Sequence, residues 1–506
     1  MSRHVTTVPI VLVLLAGCVQ GQDYQKPEIP VPSRWEQMAG VTATTGVMLS
    51  SDKLPEARWW RQFGNEELNR LIERALEANH DVRRTAARVL ESRATVMSAG
   101  AGLYPHLDLQ GQYTRIEISK NTLAGLGIAG GQRPGPQTFA TPGKGFNLWN
   151  GVADLSWELD LWGRIRRGVE AANEDAMALE ADHRAVALSL ISDVGQAYVR
   201  VRELDEQIAI ATKNLALRRD SHSIIKSRAA VGLASDLDVA RAEVLVAESA
   251  AQIPDLERLR AVELHRLEVL CGASPGTLVI ERKPLREVVL QPEIPVGLPA
   301  QLVQRRPDIV QAERTLIAAN ARIGEARAYF FPTVSITGQG GLQSTDFSNW
   351  FTGNSRSFSI GPSITLPIFQ GGTNVARLDA AQARYEQMLE SYQQTILNAF
   401  REVADLLVGI AARTEQRDRQ RTQVQAATLA LELAQTRYRK GLVNYLDVLE
   451  AEVSALNAEL VLVQTERARL NDMISLFRAL GGGWSPDAVA DGQHPGQDAP
   501  AQAGHS

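Results

Sequence analysis

Few side chains in this sequence are spaced for chemistry, and the clearest is Cys18. It closes Leu15-Ala16-Gly17-Cys18, behind a basic start at Arg3 and an apolar run from Val8 to Leu15. That run is too short to span a bilayer as a helix, and the order basic, apolar, small is that of a secretory signal. A cysteine ending such a signal reads as a lipobox, in which the thiol takes a lipid and Cys18 becomes the new N-terminus. The other cysteine, Cys271, sits on an apolar helix end. With Cys18 lipidated it has no partner for a disulfide, so it is expected as a buried small residue.

Other chemical patterns are without context. Gly125, Gly127 and Gly130 match G-x-G-x-x-G, but no strand-to-helix unit surrounds them. The 8 histidines have no metal-ligand spacing. No catalytic residue, metal site or cofactor is therefore expected, and the protein is not read as an enzyme. Lys+Arg total 53 against 58 Asp+Glu, a balance that offers nothing to a nucleic acid.

The elements that carry these residues come in duplicate. "SRAAVGLASDLDVARAE" from Ser227 and "TRYRKGLVNYLDVLEAE" from Thr436 share one register: Gly441 and Gly232 lie 209 positions apart, as do Leu446 and Leu237, Asp447 and Asp238, and Glu452 and Glu243. Upstream, "YPHLDLQGQ" from Tyr104 matches "FPTVSITGQ" from Phe331 at an offset of 227, so copy one carries 18 extra residues. They belong to the Gly- and Pro-rich stretch around Gly125–Gly145, an inserted surface loop. The expected organisation is a lipoprotein signal peptide at 1–17 and an extended or equatorial N-terminal segment at 18–63. A first repeat at 64–272 (helix, two strands, long helix, return helix) is followed by a linker at 273–298, a second repeat at 299–484 and a low-complexity, disordered tail at 485–506.

Strands and helices are easily told apart. "VADLSWELDL" from Val152 alternates, with Ala153, Leu155, Trp157, Leu159 and Leu161 on one face and Asp154, Ser156, Glu158 and Asp160 on the other. Stretches from His106, Thr333 and Ser357 repeat the pattern more weakly, each near the length a tilted strand needs to cross a membrane. Four strands cannot close a barrel, and an open edge in hydrocarbon strands backbone groups, so spanning would require oligomerisation. Three chains would give twelve strands and two would give eight; periodicity does not choose between them.

The Ala-, Leu- and Arg/Glu-rich tract between Gly163 and Val231, with its copy from Gly372 to Lys440, predicts helices of about 67 residues, roughly 100 Å long. After the second Gly-Leu, the residues Leu446, Leu449, Val453, Leu456, Leu460 and Val463 form a heptad seam, resumed at Leu470, Ile474 and Phe477. Pro254 predicts an irregularity in the first copy. Gly232-Leu233 and Gly441-Leu442 mark reversals of the long helices, with Asp236 or Asn444 expected to cap the helix that follows.

With these pieces in place, the chain resembles the outer-membrane efflux protein (TolC-like) family, in its lipoprotein branch of NodT/OprM type. The resemblance runs from about Tyr24 to Trp484 and rests on "LDLWGRIRR" from Leu159, "LVQRRPDIVQAERTL" from Leu302, "PIFQGG" from Pro367, "RYRKGLVNYLDVLEAE" from Arg437 and "LGGGW" ending at Trp484. It implies a mainly α fold with a small β part: a homotrimer in which long coiled-coil helices form an α-barrel and four strands per chain join a shared twelve-stranded β-barrel. It further implies a passive outer-membrane conduit for small molecules, drugs or toxic compounds among them. A periplasmic adaptor and an inner-membrane pump of RND or MFS type would be the partners, outer-membrane lipid the surroundings, and a palmitate-bearing Cys18 the anchor. Val19 after Cys18 resembles outer-membrane sorting. Gly232, Leu233, Ser235, Asp236, Gly441, Leu442, Asn444 and Tyr445 carry the adaptor-docking tip of the family, and Asp236 opposite Tyr445 makes the two tips unequal. Arg228, Asp238, Arg437 and Asp447, whose signs recur in both copies, are candidate latch charges for the pore. The outlet of a type I protein secretion system is the alternative. "RRPDI" is expected as a helix start, with Pro307 in the first turn and Asp308 at the positive helix end.

Overall fold

The computed structural model describes residues 19–32, 35, 49–50, 58–117, 119, 145–287, 294–295 and 299–482. The signal peptide, Cys18, the glycines of the G-x-G-x-x-G match, Trp484 and the tail lie outside the described residues. The helices are α1 (Glu66–Ala78), α2 (His80–Ala101), α3 (Arg164–Ala230), α4 (Asp236–Leu270), α5 (Pro299–Arg305), α6 (Pro307–Ala328), α7 (Thr373–Arg439) and α8 (Tyr445–Ala479). The main strands are β1 (His106–Ile116), β2 (Phe146–Leu159), β3 (Thr333–Ser344) and β4 (Arg356–Thr365). The order α2-β1-β2-α3-α4 recurs as α6-β3-β4-α7-α8, and the copies match in length: α3 and α7 have 67 residues each, α4 and α8 have 35 each. A two-residue parallel pairing joins Leu49–Ser50 to Ile294–Pro295.

The chain forms two compact units. One comprises Met1–Lys26, Glu91–Ala176 and Arg314–Leu389; the other comprises Pro27–Leu90, Met177–Glu313 and Glu390–Ser506. The first holds one antiparallel sheet in the order β1-β2-β3-β4, so β1 and β4 are its two edges. Its register carries the alternation across all four strands. Leu107, Leu155, Gly338 and Ile360 align in one row and Leu109, Ala153, Gly340 and Phe358 in another, while Asp108, Asp154, Gln339 and Ser359 align between them on the opposite face. β2 ends at Leu159, so Leu161 belongs to the following turn rather than to the apolar face.

In the second unit, α7 buries Tyr392, Ile396, Ala399, Val403, Leu407 and Ile410, a stripe at helical spacing with no exposed surface. Near the end of α8, Phe477 stacks on Trp59 with ring centroids 4.7 Å apart. The "RRPDI" stretch starts α6 at Pro307 as expected. Arg306 forks onto both oxygens of Asp308 (3.0 and 2.7 Å), pairs with Glu402 of α7 at 2.7 Å and donates to the Ala479 carbonyl at 3.1 Å. One arginine thus ties three helices together. Cys271 is buried, its Sγ 3.6 Å from the Leu71 carbonyl.

α4 runs unbroken through Pro254. One sequence expectation needs correction. The heptad seam of α8 is buried only in its second half, from Val463 through Leu470, Ile474 and Phe477. In its first half the buried residues are Tyr445, Val448, Glu452, Ala455 and Ala458, while Leu446 and Val453 are exposed. Short side chains such as Ala455 and Ala458 let this part of α8 lie close to its neighbours. The larger apolar stripe is left facing away.

Candidate functional site

In the second unit the long helices turn back through two matching hairpins. Gly232 and Gly441 take φ of +75° and +76°, the left-handed region that glycine reaches without strain. Around each turn the amides donate in the Schellman pattern: Leu233 N to Arg228 O and Leu442 N to Arg437 O, both at 2.9 Å, with Gly232 N to Ala229 O and Gly441 N to Tyr438 O also at 2.9 Å. The caps of the following helices are Ser235 and Asn444, which accept from the Asp238 and Asp447 amides, while those carboxylates take the cap residues' own N–H groups. Ser235, not Asp236, therefore caps α4. It has the extended backbone a cap requires, whereas Asp236 is already the first helical residue.

The repeated Leu-Asp-Val now has a residue-by-residue account. Asp238 and Asp447 close the capping boxes. Val448 and Tyr445 are buried with Ile225 and Ala242, and Val239, Ala434 and Tyr438 pack around them. Tyr445 is thus part of the tip's interior rather than its surface, and burial pushes its hydroxyl pKa up to about 12, with the Glu452 carboxylate adding to the rise. Arg228 stitches the hairpins together, donating to the Tyr438 carbonyl at 2.9 Å with its guanidinium 4.8 Å over the Tyr438 ring. Leu233, Leu237, Leu442 and Leu446 stay exposed at the two turns. Arg437 is exposed.

Below the tip, Glu452 is buried and takes the Ser221 hydroxyl at 3.2 Å. Burial raises its pKa, against the opposing pull of that hydroxyl, Arg218 and Gln435. Sequence reasoning missed Glu452, although it sits in the repeated Ala-Glu. Its counterpart Glu243 is exposed, so identity of residue type concealed a difference of environment.

In the first unit, the sheet has one apolar and one polar face. Leu107, Leu109, Phe358, Ile360 and Ile364 are exposed on the apolar side, and on the polar side Gln339 donates to Asp154 at 3.0 Å. At one end of the apolar face Tyr113, Trp149, Phe347, Trp350 and Phe351 form a connected aromatic cluster. Within it the Trp350 ring lies against Gly151 and its Nε1 donates to the Leu342 carbonyl at 3.0 Å. At the strand-to-helix end Trp162 stacks on Phe331 at 4.9 Å. Strands of 10 to 14 residues with aromatics at both ends suit a tilted membrane crossing. Among the described residues no helix is long and apolar enough to cross a membrane, and no group of His, Cys, Asp and Glu is arranged to hold a metal ion.

Comparison with known proteins fits this geometry. A family model described as "Outer membrane efflux protein" matches residues 71–273 and 298–482. The chain is 32% identical over 477 residues to the cation efflux system protein CusC of Escherichia coli O6:H1, covering 94% of this chain and 97% of that one. It is 33% identical over 476 residues to the outer membrane protein OprJ of Pseudomonas aeruginosa, covering 94% and 95%. Among solved structures, the outer-membrane channel OprN superposes with a TM-score of 0.82 at 30% identity, over 93% of this chain and all of that one.

Proposed function

The chain belongs to the outer membrane efflux protein family, and from that membership we propose that it is a passive conduit for small molecules, assembled as a trimer and fed by an inner-membrane pump through a periplasmic adaptor. The observation that carries this reading is the four-stranded sheet with two chemically opposite faces and two unpaired edges. In hydrocarbon each unpaired edge group costs several kcal/mol, so the edges must meet those of other copies. Three copies would close twelve strands into a barrel, its apolar face toward lipid and its Asp154–Gln339 face toward water. The exposed heptad residues Leu446 and Val453, with Leu237 and Val244 at equivalent places on α4, supply a surface for neighbouring helices.

Leu233 and Leu442, exposed at the two turns, are the docking surface for the adaptor, with Gly232, Gly441, Ser235 and Asn444 shaping the backbone beneath them. Cys18 carries the lipid that tethers the chain to the outer membrane. The protein itself performs no catalysis, and the driving force belongs to the pump. A small-molecule efflux system is preferred to a protein-secretion outlet because relatives of the chain are named as efflux components.

Purified protein reconstituted in planar bilayers tests the proposal. Stepwise ion conductance from an assembled oligomer, with no ATP hydrolysis, is the expected result. Nucleotide turnover by the pure protein, or a monomer that never conducts, would overturn it.

A further inference from the structure

Residues 19–23, the first after Cys18, are held in a way that a simple tether does not need. The Gln20 amide donates to the Trp162 carbonyl at 3.0 Å. The guanidinium of Arg167, nearly buried in the first turn of α3, donates to the carbonyls of Gln20 (3.2 Å) and Gly21 (3.3 Å) and pairs with Asp23 at 2.9 Å. From α6, Asn320 donates to the Gln22 carbonyl at 2.9 Å. Two glycines are cut to fit: a Cβ on Gly163 would stand 2.6 Å from Val19 Cγ1, and one on Gly324 would stand 2.7 Å from the Gln20 carbonyl oxygen. Neither close approach would survive a side chain.

We infer that this is a positioning seat for the lipid anchor: it fixes the point at which the acyl chains on Cys18 leave the protein, beside the Trp162–Phe331 pair where β2 gives way to α3. The inference rests on the proposed lipidation of Cys18 and adds where the lipid must enter and which residues place it. A tether raises the local concentration of what it carries most when its length matches the span. With residues 19–23 seated, only the Cys18–Val19 link separates the lipid from the sheet's end. Freed, those five residues would let it wander about 12 Å, a large fraction of a bilayer leaflet. The seat thus holds lipid and strands at one membrane level while the strands insert and find those of other copies.

Three readouts test it in the full-length protein in cells. Gln22→Cys with Asn320→Cys reports whether the seat is occupied, by forming a disulfide in the oxidising periplasm. Mass spectrometry of the mature N-terminus reports acylation, and pulse-chase labelling reports the rate at which detergent-resistant oligomer appears. The seat predicts that the disulfide forms, that Gly324→Leu prevents it, and that Gly324→Leu and Arg167→Ala stay acylated yet assemble several-fold more slowly. Adding the disulfide to Arg167→Ala should restore the rate, which a merely misfolded variant would not show. If Gly324→Leu fails to accumulate, Arg167→Ala with and without the disulfide decides the matter. Assembly at the wild-type rate in acylated Arg167→Ala overturns the seat while leaving the lipid in place. An unmodified wild-type N-terminus overturns the lipidation itself, and the seat with it.

Discussion

Glu452 is an acid where the fold could have used an amide. Because burial raises its pKa, the packed tip holds a proton more readily than the loosened chain does. The stability linked to that proton is therefore complete below the ordinary carboxylate range and is lost as pH rises through the raised value. Amide exchange in the first turns of α8, corrected for its intrinsic pH dependence, should accelerate as pH rises above the ordinary carboxylate range. Glu452→Gln should flatten that dependence; an unchanged pH profile would show that the carboxyl does not govern the tip. Nothing in the sequence distinguishes Glu452 from Glu243, since burial depends on which helices close around each. The caps were half legible for a related reason. Asn444 was readable as a cap, but in copy one an aspartate beside the serine drew attention away from Ser235, and only backbone conformation separates a cap from the residue after it.

At the scale of elements, the two long helices were readable to within a residue because nothing interrupts them before a glycine that must reverse the chain. The strands were readable because apolar and polar residues alternate, strictly in β2 and more weakly in β1, β3 and β4. Less readable was which side of a helix faces inward. The leucine seam of α8 obeys the heptad rule, yet in one chain the narrower Tyr445-Val448-Glu452-Ala455 side is buried, because a helix in an assembly serves two neighbours and its sequence does not say which belongs to its own chain. Arg306 offers a test of a junction. Removing it leaves Glu402 only Arg478, 2.7 Å away, and strips the fork from Asp308. Arg306→Ala should cost about 2 kcal/mol, read as a lower thermal midpoint, and Arg306→Lys should recover only part because a point charge cannot fork. A midpoint equal to wild type would mean the junction holds through packing alone.

For the whole molecule, the exposed stripe and the exposed charges bear on assembly and gating separately. Val453→Asp should leave the chain folded, by circular dichroism, while preventing a detergent-resistant trimer, since a buried unpaired charge between helices is costly. A stable trimer in that variant would exclude the stripe from the interface. The charges proposed for a gate are Arg437 and Asp447, with Arg228 and Asp238 as their counterparts. Within the chain, Arg228 is committed to Tyr438, and both aspartates are committed to capping boxes. Of these four, Arg437, exposed at the end of α7, is the cation whose side chain has no part in either turn. A single exposed ion pair is worth about 0–1 kcal/mol, so a latch built from three of them would be weak enough for an adaptor to release. Asp447→Ala would mix loss of the latch with loss of the cap, about 1 kcal/mol by itself. Arg437→Ala is the cleaner probe because its side chain has no part in either turn's hydrogen bonds. In bilayers without partners it should open more often or conduct more than wild type, and the excess should shrink at high salt, where the wild-type latch is itself screened. Equal conductance from correctly assembled trimers at low salt would remove Arg437 from the gate and leave it a solvated charge at a helix end.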